Sequence, residues 1–331
     1  MARKTRWGIL ATGGIARLFA RDLIDHGHAV GAVASRDAAK ALAFAEEFGI
    51  ARSHGSYEAL AADPEIDAIY VATPHPMHAA NAKLALNAGK HVLVEKAFTL
   101  NAAEAREVVD LAEAKGLVVL EAMWTRFLPH MVRIREILAS GALGEIRSMS
   151  ADHTQALPSD PEHRLNAMAL GGGSLLDLGI YPISFIHDVL GAPELRHAEA
   201  SFGPTGADRQ IVAVFTHAGG AVSTALMALD TAGPNRAQIL GTEARIEIDG
   251  VWYTPTSFRV VNRKKEVVEE YVSDVTGRGM QYEAAELERL VAAGQTAGEI
   301  LPPEESVAIM GTLDAIRERI GLRYPMETGR A

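Results

Sequence analysis

The chain has 331 residues, 48% of them hydrophobic, which is long enough for two domains with a core in each. Its 32 basic and 42 acidic residues leave a net charge of −10, so no basic excess is available for nucleic acid or an anionic membrane. The absence of cysteine excludes disulfides, thiolate nucleophiles and cysteine-held zinc or iron–sulfur centres.

Met1-Ala2-Arg3-Lys4-Thr5-Arg6 leads straight into a strand-like run, with no apolar stretch of signal-peptide length. No run approaches a membrane span, and the expectation is a cytoplasmic protein. Trp7 to Ala11 reads as a strand, followed by a glycine turn and a helical pattern through Leu18, Phe19, Leu23 and Ile24. The dinucleotide fingerprint G-x-G-x-x-G/A has Ala11, Gly13 and Ala16 in its three places. Ala11, Thr12, Gly13, Gly14 and Ile15 are therefore the expected cradle for a cofactor pyrophosphate.

A second strand spans Ala29 to Ser35, and a helix from Ala38 to Phe48 closes at Gly49. At that strand's end stand Ser35 and Arg36, where an NAD-binding protein carries a carboxylate for the ribose hydroxyl. An arginine suits a 2′-phosphate instead, which points to NADP ahead of NAD. Asp37 comes one place late and reads as a helix N-cap.

Ala68 to Ala72 is the next strand, and Thr73-Pro74-His75-Pro76-Met77-His78 forms a loop into a helix ending at Gly89. The strand His91 to Glu95 ends on the pair Glu95-Lys96. In an open α/β sheet, ligands bind outside the carboxyl ends of the strands, so Lys96 is expected to face cofactor or substrate. Asn101 caps a helix to Lys115, Gly116 stops it, and Leu117 to Glu121 is a further strand. This alternation predicts a doubly wound parallel sheet over residues 1–122.

The texture changes after Ala122. Met123-Trp124-Thr125-Arg126-Phe127-Leu128-Pro129 is an aromatic and cationic connector into a helix from Pro129 to Ser140. Ile146 to Asp152 alternates as a strand, Thr154 to Met168 is irregular, and Gly171-Gly172-Gly173 approaches a helix from Ser174 to Leu190. Strand character follows at Arg209 to Thr216, Ala221 to Leu229, Ala237 to Leu240 and Ala244 to Ile248. The turns between them are His217-Ala218-Gly219-Gly220 and Gly241-Thr242-Glu243. Without intervening helices, this sheet should be largely antiparallel. Met280 to Ala293 and Pro303 to Ile320 read as amphipathic helices, and residues 123–331 form the expected second, α+β domain.

These motifs, in this order, resemble the glucose-fructose oxidoreductase/inositol dehydrogenase (Gfo/Idh/MocA) family. The carriers are the Trp7 to Ala16 turn, Ala72 to His78, Gly89 to Lys96 and Gly171 to Tyr181. Glu121 to Phe127 and Met280-Gln281-Tyr282-Glu283 are similar to the branch that holds dimeric dihydrodiol dehydrogenase and NADP-dependent D-xylose dehydrogenase. Two departures stand out: Ala97 follows Lys96 where the family has proline, and Ala11 replaces the first fingerprint glycine.

The resemblance implies an NADP-dependent oxidoreductase for a sugar, polyol or cyclic trans-diol. It makes Tyr181 the general acid/base and Asp177, four residues earlier, a substrate partner on the same helix face. A half-buried core tyrosine and a solvated or capping carboxylate are the alternatives. A free phenol has a pKa near 10, too high for an efficient base at neutral pH, and an adjacent ammonium lowers it; Lys96 is the candidate.

In the family the loop with Thr73, Pro74, His75 and His78 lies against the cofactor, and Glu95 and Lys96 are expected to join it; His75 and His78 have cofactor or structural roles, and no metal is expected there because Pro74 and Pro76 break any helical face. Trp124, Arg126 and Phe127 offer rings and a guanidinium fork to a substrate, with interface packing as the alternative. Arg147 and Arg164 either reach the site or are surface charges. The late strands leave a sheet with too few helices to cover both faces, which predicts a homodimer or dimer-built oligomer. A non-catalytic NADP-sensing regulator on the same scaffold is the rival reading.

Overall fold

The computed structural model describes residues 4–327, so the Met1-Ala2-Arg3 part of the N-terminal run lies outside the described residues. The chain forms two compact units, Met1–Trp124 with Gly277–Val307, and Thr125–Thr276 with Ala308–Ala331. The expected boundary at residue 122 ignores the return of Gly277–Val307 to the first unit, which no local pattern announces.

In the first unit, β1 (Arg6–Leu10), α1 (Gly14–Asp25), β2 (Ala29–Ala34) and α2 (Ala38–Phe48) follow in order. β3 (Arg52–His54), α3 (Tyr57–Ala61), β4 (Ala68–Val71), α4 (His78–Asn87), β5 (His91–Glu95), α5 (Ala102–Lys115) and β6 (Val119–Ala122) continue the alternation. The six strands are parallel in the order β3-β2-β1-β4-β5-β6, the doubly wound arrangement whose ligand crevice opens where the order reverses. The sequence patterns miss β3 and α3, because three polar-leaning residues and one short turn show no period.

Local chemistry sets the ends. Asp37 accepts from Ala39 and Lys40 N–H at the start of α2, and Asn101 accepts from Glu104 N–H at the start of α5. Gly49 and Gly116 end those helices in the left-handed conformation. The core is aromatic at its centre: Phe19 meets Trp7 edge-on at 5.7 Å and stacks on Tyr70 at 3.8 Å.

The second unit holds α6 (Pro129–Ala139), β7 (Ile146–Thr154), α7 (Ile180–Leu190), β8 (Glu194–Phe202), β9 (Asp208–Thr216) and β10 (Val222–Ala228). β11 (Ala237–Gly241), β12 (Ala244–Ile248), β13 (Phe258–Asn262) and β14 (Val267–Tyr271) complete its sheet. The order is β14-β13-β12-β11-β7-β10-β9-β8, with only β7 and β10 parallel. The remaining helices are α8 (Gln281–Ala293), in the first unit, and α9 (Pro303–Ile320), within which the chain passes from the first unit to the second.

The helix expected from Ser174 to Leu190 is not uniform. Leu175–Gly179 winds as a π-helix before α7 begins, a feature that recurs at functional sites. Gly179 at its end is closely packed: a Cβ there would stand 2.8 Å from Met227 Sδ on β10. Gly172 and Gly173 are equally required, since Cβ atoms would meet backbone of the 164–167 loop at 2.9 Å and Asp208 Oδ1 at 2.0 Å. The triple glycine is thus a packing device.

One expectation is corrected here. The 23 residues Met168–Leu190 are long and apolar enough to cross a membrane, with a mean hydropathy of 1.3. Of that window 89% is buried inside the protein, so the stretch serves as the core of the second unit.

Candidate active site

The first unit presents a dinucleotide cradle. Gly13 precedes α1 with no side-chain cap, and a Cβ on Gly13 or Gly14 would meet nothing within 4 Å. The first-turn N–H groups of α1 therefore face open space at the positive end of the helix, a fit for a pyrophosphate. Ala11, which donates its N–H to Ala34 O at 3.0 Å, sits at φ +97°, a region that favours glycine. Thr12 and Ile15 flank the same turn.

At the end of β2 the chain separates roles clearly. Asp37 is spent on capping α2, while Ser35 Oγ accepts from Asp37 N–H at 3.2 Å. Arg36 is exposed and has no ion-pair partner among the described residues.

The loop after β4 is braced from below. Asn81 donates to Thr73 Oγ1 at 3.1 Å, and Pro74 starts a short 3₁₀ turn from His75 to Met77. His78 is fully buried, with Nδ1 2.9 Å from Ala97 O and Nε2 2.6 Å from Thr73 O. Burial holds its pKa below the usual imidazole value. His78 thereby ties the Thr73 loop to the turn after Lys96, and His75 packs edge-on against it at 5.5 Å.

Lys96 itself is half-buried, just past the carboxyl end of β5, and the Lys96–Ala97 peptide is cis. Glu95 is buried and accepts from the Tyr70 hydroxyl. Next to it, Glu121 accepts from Phe98 N–H at 3.1 Å and Ser306 Oγ at 2.8 Å. Glu283, at the start of α8, is fully buried, and among the described residues neither of its oxygens finds a hydrogen-bond donor. Burial, with Glu95, Asp22 and Glu121 nearby, pushes its pKa well above the carboxylate range. Glu121 and Glu283 carry no individual signal in the sequence, because their proximity exists only in three dimensions.

In the second unit, Asp177 lies in the π-helical segment and accepts from Arg164 Nη1 at 3.0 Å. Arg164 thus belongs with Asp177, whereas Arg147 is exposed and pairs with Glu145. Tyr181, 6% exposed, lies in an aromatic group: His153 stands edge-on to it at 4.8 Å and stacks on Tyr253 at 3.7 Å. Gln155 Nε2 bridges His153 Nε2 at 2.8 Å and the Tyr253 hydroxyl at 3.1 Å. Gln155 and Tyr253 carry no sequence signal, since each is a single polar residue on an unremarkable stretch.

Arg126 is a correction. Its fork, expected on substrate hydroxyls, is buried in an ion pair with Asp188 at 3.3 Å and donates to Ser184 O at 3.0 Å. Phe127 is buried, and Trp124 is 2% exposed with the Arg278 guanidinium 5.0 Å above its ring. Among the described residues no group of three His, Cys, Asp or Glu side chains could hold a metal ion.

A unit with a doubly wound sheet and a glycine cradle, followed in the chain by a unit with a mixed sheet and a helix bearing a buried phenol and carboxylate, defines an oxidoreductase of the dinucleotide-binding class. Residues 5–123 match the Gfo/Idh/MocA oxidoreductase family with its NAD-binding Rossmann fold, and residues 131–247 match that family's C-terminal domain. The chain belongs to the Gfo/Idh/MocA family. It is 36% identical to a trans-1,2-dihydrobenzene-1,2-diol dehydrogenase from Mus musculus, covering 97% of this chain and 98% of that one. A D-xylose 1-dehydrogenase (NADP(+)) from Hypocrea jecorina is also 36% identical, over 97% of this chain and 93% of its own. A 3-ketoreductase from Actinomadura kijaniata, solved with NADP and TDP-benzene, superposes with a TM-score of 0.86 at 27% identity, covering 96% and 98% of the two chains. These relatives carry enzyme names, which gives the regulator reading no support.

Proposed function

We infer that the protein is an NADP-dependent oxidoreductase acting on a secondary alcohol, or the matching carbonyl, of a sugar, polyol or cyclic trans-diol. One observation carries most of this: near-full-length identity of 36% to two enzymes that are both named dehydrogenases of hydroxyl-bearing compounds, a reaction in which the carbinol carbon gives up hydride and its oxygen a proton. We assign cofactor binding to residues 1–122, and substrate binding and assembly to residues 123–331.

Bound NADP supplies the two-electron acceptor or donor. The first turn of α1 holds its pyrophosphate, Ser35 and Arg36 hold its 2′-phosphate, and the Thr73 to His78 loop and Lys96 flank it. In the oxidative direction Tyr181 takes the hydroxyl proton as general base, and in reduction it returns that proton to the carbonyl oxygen. Lys96 binds the reacting oxygen and favours the phenolate. Asp177, oriented by Arg164, accepts from a neighbouring hydroxyl, while Trp124 and Phe127 supply apolar faces to the ring.

We further place the protein in the cytoplasm as a homodimer. The outward face of the eight-stranded sheet carries Val212 and Val222, 43% and 39% exposed, whereas Ile211, Ala213 and Phe215 point into the core. A second copy of the same face is the simplest cover for those side chains. Light scattering at micromolar concentration should give twice the monomer mass; a monomer refutes the assembly.

The reaction is tested by a spectrophotometric screen of aldoses, ketoses, inositols and dihydrodiols with NADP+ and NADPH. At least one should change the nicotinamide absorbance. Tight cofactor binding with no turnover of any of them would overturn the reading.

A further inference from the structure

Glu95 on β5 is paired with Ala122 on β6, so Lys96 and Trp124 leave neighbouring parallel strands at the same edge of the sheet. The returning segment comes to this edge: α8 packs on β5 and α1, and Glu283 in its first turn feels Glu95 and Glu121. The segment is anchored by Asp22 on α1, whose Oδ2 accepts from the N–H of Arg278 at 3.1 Å and of Met280 at 3.0 Å. Gly277 is required there, because a Cβ would stand 2.8 Å from Asp22 Oδ1.

This anchoring fixes the main chain of Arg278 and lays its guanidinium on the buried Trp124 indole, 5.0 Å from the ring centroid. A guanidinium held over a ring by cation–π attraction still has N–H groups with which to donate. Arg278 is exposed, and among the described residues it has no carboxylate partner. By contrast Arg6, Arg106, Arg133 and Arg289 of this acidic chain all sit on carboxylates. An aromatic-backed cation is therefore held ready, one strand from Lys96.

We propose that Arg278 is a specificity-determining residue that binds an anionic substituent, a carboxylate or a phosphate, on the substrate. The preferred substrate is then an anionic carbohydrate, and a neutral sugar or diol reacts less efficiently because it offers Arg278 only hydroxyls. This rests on the reading of the Lys96 edge as the substrate side. A charge-assisted bond is about twice as strong as a neutral one, which gives the discrimination its physical source.

The test compares kcat/KM with NADP+ for D-glucose, D-glucuronate and D-glucose 6-phosphate, in the wild type, Arg278→Gln and Arg278→Glu, with thermal melts as fold controls. The wild type should prefer at least one anionic sugar, the uronate and phosphate arms identifying which group is read. The anionic-to-neutral ratio should fall by about 10–100-fold in Arg278→Gln, the scale of a hydrogen bond to a charged group, and further in Arg278→Glu. A wild-type ratio of one, or a ratio that Arg278→Gln leaves unchanged, overturns the proposal while the oxidoreductase reading stands. If no CH–OH compound reacts, that reading fails instead. Calorimetric titration of the same two anions into the NADP+-loaded protein then decides: binding lost in Arg278→Gln supports the proposal, and no binding to the wild type overturns it.

Discussion

Arg126 and Asp188 form an ion pair at 3.3 Å with side chains only 3% and 6% exposed, and Arg135 reaches the other Asp188 oxygen at 2.9 Å. Removing one partner of such a pair leaves an uncompensated buried charge, at a cost of about 3–5 kcal/mol. Because Arg135 still neutralises Asp188, Arg126→Met should fall at the low end, near ~3 kcal/mol. Its kcat/KM should change by the same factor for every substrate. Urea unfolding and a substrate panel check this, and a selective loss for one sugar would restore Arg126 to the site.

Ala11 holds a backbone conformation at φ +97° that glycine adopts without strain. Relief of roughly 1–3 kcal/mol in the native state is offset by roughly 0.4–1 kcal/mol of added freedom in the unfolded chain. Ala11→Gly should therefore stabilise the protein by about 1 kcal/mol, seen as a higher Tm. A lower Tm would mean that the turn is unstrained.

Arg36 should set cofactor choice. Arg36→Ala is expected to weaken NADP binding by about 1.5–3 kcal/mol, the scale for a hydrogen bond to a charged group, and to leave NAD nearly unchanged. Fluorescence titration with both cofactors is the measurement, and equal losses sink the assignment.

Tyr181→Phe should lower turnover by roughly 10²–10⁴-fold, as expected for a lost general acid/base, with NADP affinity little altered. Lys96→Met should also lower turnover and move the remaining activity to higher pH, since a phenol without its cation ionises later. The double variant should be little worse than the poorer single one, because groups acting as a unit are not additive. Near-normal turnover in Tyr181→Phe would return the tyrosine to a packing role.

Glu283 predicts an unusual pH dependence. Burial first, then Glu95, Asp22 and Glu121, keep its native-state pKa above the ordinary value of 4.5. The native protein thus holds a proton that the unfolded chain releases, so stability falls as pH rises from the unfolded pKa toward the folded one. Glu283→Gln removes that slope: its Tm should match wild type near pH 4 and exceed it increasingly toward pH 8. Parallel curves for the two proteins would show that Glu283 is ionised in the fold.

What the amino-acid order alone determined was whatever depends on near neighbours. The strand His91–Glu95, the helices Ala38–Phe48 and Ala102–Lys115, their caps at Asp37 and Asn101, and the stops at Gly49 and Gly116 lie where spacing and turn chemistry place them. Those signals act within about one turn of chain, so they survive in the sequence. The glycine cradle and Lys96 at a strand end were legible for the same reason. Tertiary structure decided the rest, because each case joins residues far apart in sequence. Asp188 captures Arg126 from 62 positions away, as their numbers show, and Asp22 draws Gly277–Val307 back into the first unit. Gly179, at the end of the π-turn that holds Asp177, is packed against Met227 of β10, a contact between residues 48 positions apart. The stacking of Arg278 on Trp124 likewise exists only once the chain has returned to the edge from which Lys96 emerges, since a side chain's partner is set by the fold that surrounds it.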